Sequence, residues 1–327
     1  MTATSTGLAL VVLAGLTAYA VLGGADFGAG LWDLTRNPRQ RELLAKAMGP
    51  VWEANHVWLI FVVITLFSGF PGAFAALSRA LVAPVSLALL GIVLRGAAFA
   101  FRQYGAPDGG LPVRGTVLWG RVFAISSLLT PFAFGAAAGA MATGALRADG
   151  SAGLWAPYLA PLPLVAGVLA VACCGFTAAV FLARDAQRIG DEALVTGMRH
   201  RALGAGLIAG ALALAALPLL PPSLAEDLRV VGLPAVAVSA TAGVAALLLL
   251  WRRRYAAARV ATAAAPAGLL AGWALALHPW VLPGEVSLAD SAAGPVTAGP
   301  ILGVLLAGLA IVIPCYALML HLLRSAP

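Results

Sequence analysis

The chain reads as long apolar runs separated by short polar stretches. A helix needs roughly 20 apolar residues to cross a bilayer, whose hydrocarbon cannot satisfy free backbone groups. Nine runs meet that length, at about 7–31, 51–70, 74–100, 117–145, 157–182, 201–221, 230–250, 257–278 and 297–321. The pattern predicts an all-α polytopic membrane protein with nine transmembrane helices. Residues 1–327 read as a single integral membrane domain. The division between the second and third runs rests on Ser68-Gly69-Phe70-Pro71-Gly72, a turn signal. The fourth run is long enough to tilt or to hold an interfacial turn.

Composition agrees with the pattern. The chain is 61% hydrophobic and 10% charged, against about 25% charged in soluble domains. No basic stretch precedes the first run, so that run reads as a span and not as a cleaved leader. The net charge of +7 sits in loops, which points to membrane orientation and away from nucleic acid. Counting alternate loops, 16 Lys and Arg residues fall on one side and only Arg79, Arg147 and Arg229 on the other. The excess of cations in cytoplasmic loops predicts an outside N-terminus and a cytoplasmic C-terminus. Cys173, Cys174 and Cys315 lie in apolar runs at no metal-binding spacing and read as small hydrophobes.

A few ionisable residues break the apolar runs, and each is costly in lipid. Asp26 sits near the inner end of the first span, Glu53 and His56 at the inner start of the second, and Arg95 in the inner half of the third. Glu53 and His56 are three apart and share a helix face. The cluster has two readings. One is an ion-pair group that fixes packing, with Arg95 against Asp26 or Glu53. The other is a proton path from the cytoplasm through Glu53, His56 and Asp26, with Arg95 tuning their charge. Gly24 and Gly28 make a small-xxx-small pair that lets a second helix approach closely. His56, His200, His278 and His321 offer no depth-matched pair for a haem, so no cofactor, metal or catalytic residue is assigned to this chain. The tryptophans, Trp52 and Trp58 among them, sit mostly near span ends, as interfacial anchors do.

Three segments occur together: YAVLGGADFGAGLWDL at 19–34, GPVWEANHVWLIFVVITLFSGFP at 49–71, and ALVAPVSLALLGIVLRGAAFAFR at 80–102. In order and separation they resemble the cytochrome bd quinol oxidase subunit II family. LHPWVLP at 277–283 is a weaker echo. The family has Asp-Gly-Phe-Asp where this chain has Gly23-Gly24-Ala25-Asp26, so only the second acid is kept. It has Trp-Asp-x-Asn-Glu-Val-Trp where this chain has Trp52-Glu53-Ala54-Asn55-His56-Val57-Trp58, so His56 replaces a carboxylate. Arg95 matches the family's arginine in Leu-Arg-Gly. The chain is thus similar to a divergent member.

The resemblance implies a nine-helix subunit in the prokaryotic plasma membrane, paired with a larger subunit I. It places two haems b, haem d and the quinol site in that partner. The pair would oxidise quinol and reduce dioxygen to water, taking its protons from the cytoplasm. This chain would support assembly and contribute acids to proton uptake, and would be inactive alone. Further implied partners are small single-span accessory subunits, membrane lipid and quinone. Two other classes fit the composition: a secondary transporter and a structural membrane subunit without a proton role. A transporter more often shows an internal repeat, and none is visible here; the polar residues crowd into the first three spans.

Overall fold

A computed structural model describes residues 2–34, 39–40, 43–44, 52–104 and 114–325; of residues 52, 53, 102–104, 114–117, 320 and 323–325 it describes the backbone alone. The loop cations Arg36, Arg41 and Lys46 lie outside the described residues.

The first span is one long helix with a widened turn. Helix α1 (Ala3–Ala18) opens on Thr2, whose side chain accepts the Ser5 N–H. It passes through a π segment (Tyr19–Gly23) into α2 (Gly24–Trp32). Helix α3 (Trp52–Gly69) follows, then α4 (Pro71–Ala80), bent from it by 118°. Next come α5 (Val82–Tyr104), α6 (Arg114–Thr143) and, after a 3-10 turn (Ala156–Tyr158), α7 (Pro161–Arg188). Helix α8 (Glu192–Ala216) ends in a second 3-10 turn and leads to the short α9 (Pro222–Val230). Helices α10 (Leu233–Trp251) and α11 (Tyr255–Leu277) make a hairpin. A two-stranded antiparallel ribbon, β1 (Trp280–Leu282) and β2 (Val286–Ser287), precedes α12 (Leu288–Ser291) and the last span, α13 (Pro295–Ser325). Among the described residues eight helices are long and apolar enough to cross a membrane, and the broken pair α3–α4 makes the ninth.

The third predicted run needs correction. It was expected to begin at 74, but residues 71–80 form α4, and the span itself starts at Val82. The turn signal at 68–72 does mark a break, and Pro71 opens α4, where its missing N–H has no intrahelical partner to lose. The second break, at Leu81, has its own signal in Pro84, within the first turn of α5. The ribbon of β1 and β2 falls in the stretch between the eighth and ninth apolar runs, where hydropathy predicts no strand.

Alanines and glycines set the packing distances. Ala178, Ala179, Ala183, Ala186 and Ala202 are each at most 1% exposed and fill the seam between α7 and α8. Lipid supplies no hydrophobic drive between helices, so close approach of small residues is the main source of attraction. Helix α13 is the opposite case: Val296, Val304, Ile311 and Leu318 are all more than half exposed.

The two ends of the bundle differ. At one end Arg79 Nε donates to the Ala148 carbonyl at 2.9 Å, and the Tyr158 hydroxyl donates to the Ala80 carbonyl. Glu285, in the ribbon's turn, meets Arg147 at 3.2 Å and accepts the Ala148 N–H at 3.3 Å. At the other end Asp185 faces Arg259 at 3.5 Å and Arg188 at 3.9 Å. There too α10 closes in a Schellman turn: the Arg253 N–H reaches the Leu250 carbonyl at 3.1 Å and the Arg254 N–H the Leu249 carbonyl at 2.8 Å. Arg253 sits at φ 58°, a position glycine usually takes, which costs an arginine about 1 kcal/mol or more.

Candidate functional site

The centre of the site is Arg95 on α5, 2% exposed and among the largest fully buried side chains of the protein. Its guanidinium is fully engaged by a fork of contacts. Nη1 donates to Asp26 Oδ2 at 2.7 Å and Nη2 to Asp26 Oδ1 at 2.6 Å, a bidentate pair. Nη2 also reaches the Asp26 carbonyl at 3.1 Å, and Nε donates to Ser127 Oγ at 2.9 Å. The rings of Phe27 and Phe123 lie 5.0 and 4.9 Å from the guanidinium carbon, within cation–π range. A charge this deep is tolerable only when paired and hydrogen-bonded, and here both conditions hold.

Glycines make that geometry possible. A Cβ on Gly28 would lie 1.9 Å from the Cys174 carbonyl oxygen, so α2 and α7 touch backbone to backbone there. One on Gly30 would lie 2.2 Å from Ser127 Oγ, and one on Gly91, a turn before Arg95, 2.3 Å from Thr130 Oγ1. These contacts bring α2 and α5 against α6 and set Ser127 under the arginine. Gly24, the other half of the predicted pair, is less critical, since its Cβ would meet only Cys174 Sγ at 3.4 Å.

His56 lies beside this pair on α3. Its Nδ1 is 3.5 Å from the Tyr19 hydroxyl, and its ring stands 5.9 Å from Tyr19 and 6.4 Å from Phe27. Phe27 thus touches both His56 and Arg95. Asn55, 3% exposed, links three spans. Its Nδ2 donates to the Leu22 carbonyl at 3.2 Å, inside the π segment, and its Oδ1 accepts from Tyr316 on α13 at 2.7 Å. A widened π turn displaces carbonyls from the regular helix ladder and often sits at a functional site. Trp58 is buried with its ring 5.9 Å from Tyr316, and among the described residues its Nε1 has no hydrogen-bond partner. Trp52 and Glu53 belong to the first turn of α3, but their side chains lie outside the described residues.

The structure therefore joins Asp26 to Arg95 and gathers His56, Asn55 and Trp58 around the same helices. Sequence reading missed Ser127, Tyr19, Phe27, Phe123 and Tyr316. Ser127 could have been flagged, because Ser126, Ser127 and Thr130 interrupt an apolar run. Among the described residues no group of three or more His, Cys, Asp or Glu could hold a metal ion.

Comparison with known proteins covers nearly the whole chain. The profile of the family described as cytochrome bd terminal oxidase subunit II matches residues 4–323. The chain is 34% identical over 116 residues to the cytochrome bd ubiquinol oxidase subunit 2 of Bacillus subtilis, 35% of this chain and 33% of that one. It is 31% identical over 90 residues to the cytochrome bd-I ubiquinol oxidase subunit 2 of Escherichia coli K12, 27% of this chain and 24% of that one. These alignments span at most about a third of the relatives' length. The bd oxidase structure from Geobacillus thermodenitrificans shares the fold, with a TM-score of 0.78 at 21% identity over 98% of both chains. On the match from residue 4 to residue 323, the chain belongs to the cytochrome bd terminal oxidase subunit II family, multi-pass proteins of the prokaryotic plasma membrane.

Proposed function

We propose that this chain is subunit II of a bd-type terminal oxidase and supports a haem-bearing subunit I in oxidising quinol and reducing dioxygen to water. The family match over residues 4–323 carries this reading. The chain's own residues do not fit a haem. His56 faces Tyr19 and Phe27, His200 sits two turns into α8, His278 follows the end of α11 and His321 lies toward the end of α13, so the four histidines are spread over four helices. Haems b and d are therefore assigned to the partner. The exposed apolar face of α13 is surface for lipid or for that partner. Orientation follows the charge asymmetry, with the end that carries Arg79 and Arg147 outside. Reporter fusions after Arg188 and Arg254 should score cytoplasmic and one near Ser151 external; the reverse would invert the assignment.

Within the assembly, Glu53 and His56 are proposed as the entrance of the proton path, with Tyr19 beside His56. Asp26, expected further along, has both carboxylate oxygens on Arg95. That observation favours the ion-pair reading for Asp26 and Arg95, a fixed ionic clamp between α2 and α5. The test is dioxygen uptake per haem with excess quinol, across pH, in the purified assembly. Glu53→Gln and His56→Gln should slow turnover with haem content unchanged. Equal turnover at every pH would leave both residues as packing elements, and no uptake in any assembly holding this chain would overturn the oxidase reading.

A further inference from the structure

An apolar groove of about 320 Å³ runs between α8 and α10, lined by Leu203, Leu207, Leu247, Leu248 and Trp251. Leu207, Leu248 and Trp251 are exposed, at 64%, 45% and 70%. The groove therefore opens on the outer surface of the bundle. Its volume suits a stretch of one acyl chain.

Positive charge is concentrated where the groove meets the end of α10. Arg199 donates from Nε to the Leu250 carbonyl at 2.9 Å and from Nη2 to the Trp251 carbonyl at 3.1 Å, so its guanidinium sits on the helix end. Arg252, Arg253 and Arg254 follow at once, all exposed. His200, also exposed, shares the groove face of α8, since 200, 203 and 207 recur at helical spacing. The nearby carboxylates are mostly committed elsewhere. Asp185 faces Arg259 and Arg188, and Asp191 caps α8 by accepting the Leu194 N–H. Glu192 lies in the first turn of α8, two turns before Arg199. Among the described residues no ion pair joins a carboxylate to Arg199 or to Arg252, Arg253 or Arg254.

The backbone adds an independent observation. Arg253 holds the left-handed position of the Schellman turn, at φ 58°. Glycine would close that turn without strain, so the guanidinium is kept against the backbone's preference, as happens at functional positions.

We propose that this groove binds one anionic phospholipid, with an acyl chain along Leu203, Leu207, Leu247 and Leu248 and the phosphate between Arg252, Arg253 and His200. Trp251 stands beside it at the depth where tryptophan favours the membrane interface. Adjacent guanidiniums without carboxylates repel one another, and an anionic headgroup relieves that repulsion. A zwitterionic lipid carries its own cation and relieves it less. The groove's apolar lining between two membrane-spanning helices favours a lipid over an acidic protein segment.

The test uses the full chain in its purified assembly, delipidated in detergent and titrated in native mass spectrometry. The probes are phosphatidylglycerol and phosphatidylcholine with the same acyl chains, with inorganic phosphate as a competitor. Phosphatidylglycerol should bind at least tenfold tighter (about two arginines' worth of surface attraction), and phosphate should not displace it. Arg253→Gly should weaken phosphatidylglycerol about fivefold and leave phosphatidylcholine unchanged. Its unfolding temperature should not fall, because the strained turn is relieved, so a binding loss cannot be ascribed to misfolding. Leu247→Trp, which fills the groove, should weaken both lipids. Equal binding of the two lipids by the wild type would overturn the proposal. So would an anionic preference that survives Arg253→Gly combined with Arg252→Gln, or displacement by phosphate alone.

Discussion

Replacing Arg95 with methionine is the sharpest probe of what holds the first three spans together. The guanidinium gives three N–H contacts to Asp26 and one to Ser127, all deep in the bundle. Arg95→Met leaves the Asp26 carboxylate, 7% exposed, without its cation. Breaking a buried pair from one side costs about 3–5 kcal/mol, and Asp26→Asn should cost a similar amount by stranding the arginine. The double variant should cost only about 1–3 kcal/mol, the price of unsatisfied neutral groups. The two changes would then be non-additive by roughly 3 kcal/mol or more. That magnitude separates an ion pair from ordinary polar contacts, since an interhelical hydrogen bond in a membrane averages about 0.6 kcal/mol and reaches about 1.7. Ser127→Ala, which removes one such bond, should stay within that smaller range. The assay is equilibrium unfolding in mixed micelles, followed by circular dichroism, for the four members of the cycle. Additive single effects, or a cost below 1 kcal/mol for Arg95→Met, would refute the clamp.

Two further outcomes follow from the packing. Gly28→Ala should be destabilising by about 1–3 kcal/mol, because its Cβ has no room against the Cys174 carbonyl, whereas Gly24→Ala meets ordinary contact and should be nearly neutral in the same assay. Tyr158, outside the spans, has its phenol pushed up to about 12 by burial, above the ordinary value of 10.0. The folded state then keeps a proton that the unfolded state loses. This stabilisation is complete below pH 10 and is lost as pH rises toward 12. Tyr158→Phe should flatten that part of the stability–pH curve, and an unchanged slope would show that the phenol is not its source.

Much of the fold was legible because lipid imposes a simple rule on sequence. Runs of about 20 apolar residues must be helices, and loop charge follows their alternation. The rule fails where a helix ends inside an apolar stretch. Leu81 lies between two apolar segments, so the break there left no trace in hydropathy, only in Pro84. The π segment at 19–23 was equally silent, since Tyr-Ala-Val-Leu-Gly reads as any helical turn. In the site, Asp26 and Arg95 stood out because buried charges are rare, and orientation alone put them at similar depth. The bidentate pairing of Asp26 with Arg95 was not legible. It depends on how Gly28, Gly30 and Gly91 let α2 and α5 settle against their neighbours. Ser127, Tyr19 and Tyr316 escaped notice because single hydroxyls in apolar helices usually bond their own backbone.

The proposed function makes this chain one half of a terminal oxidase. The most direct measurement is purification of the tagged chain from its native membranes, with a reduced-minus-oxidised spectrum of the product. The expected result is a larger partner subunit in equal amount, haem bands of b and d type that follow the complex through each column, and no such bands in the chain stripped of its partner. A chain that purifies without a haem-bearing partner, or that carries stoichiometric haem when alone, would contradict it.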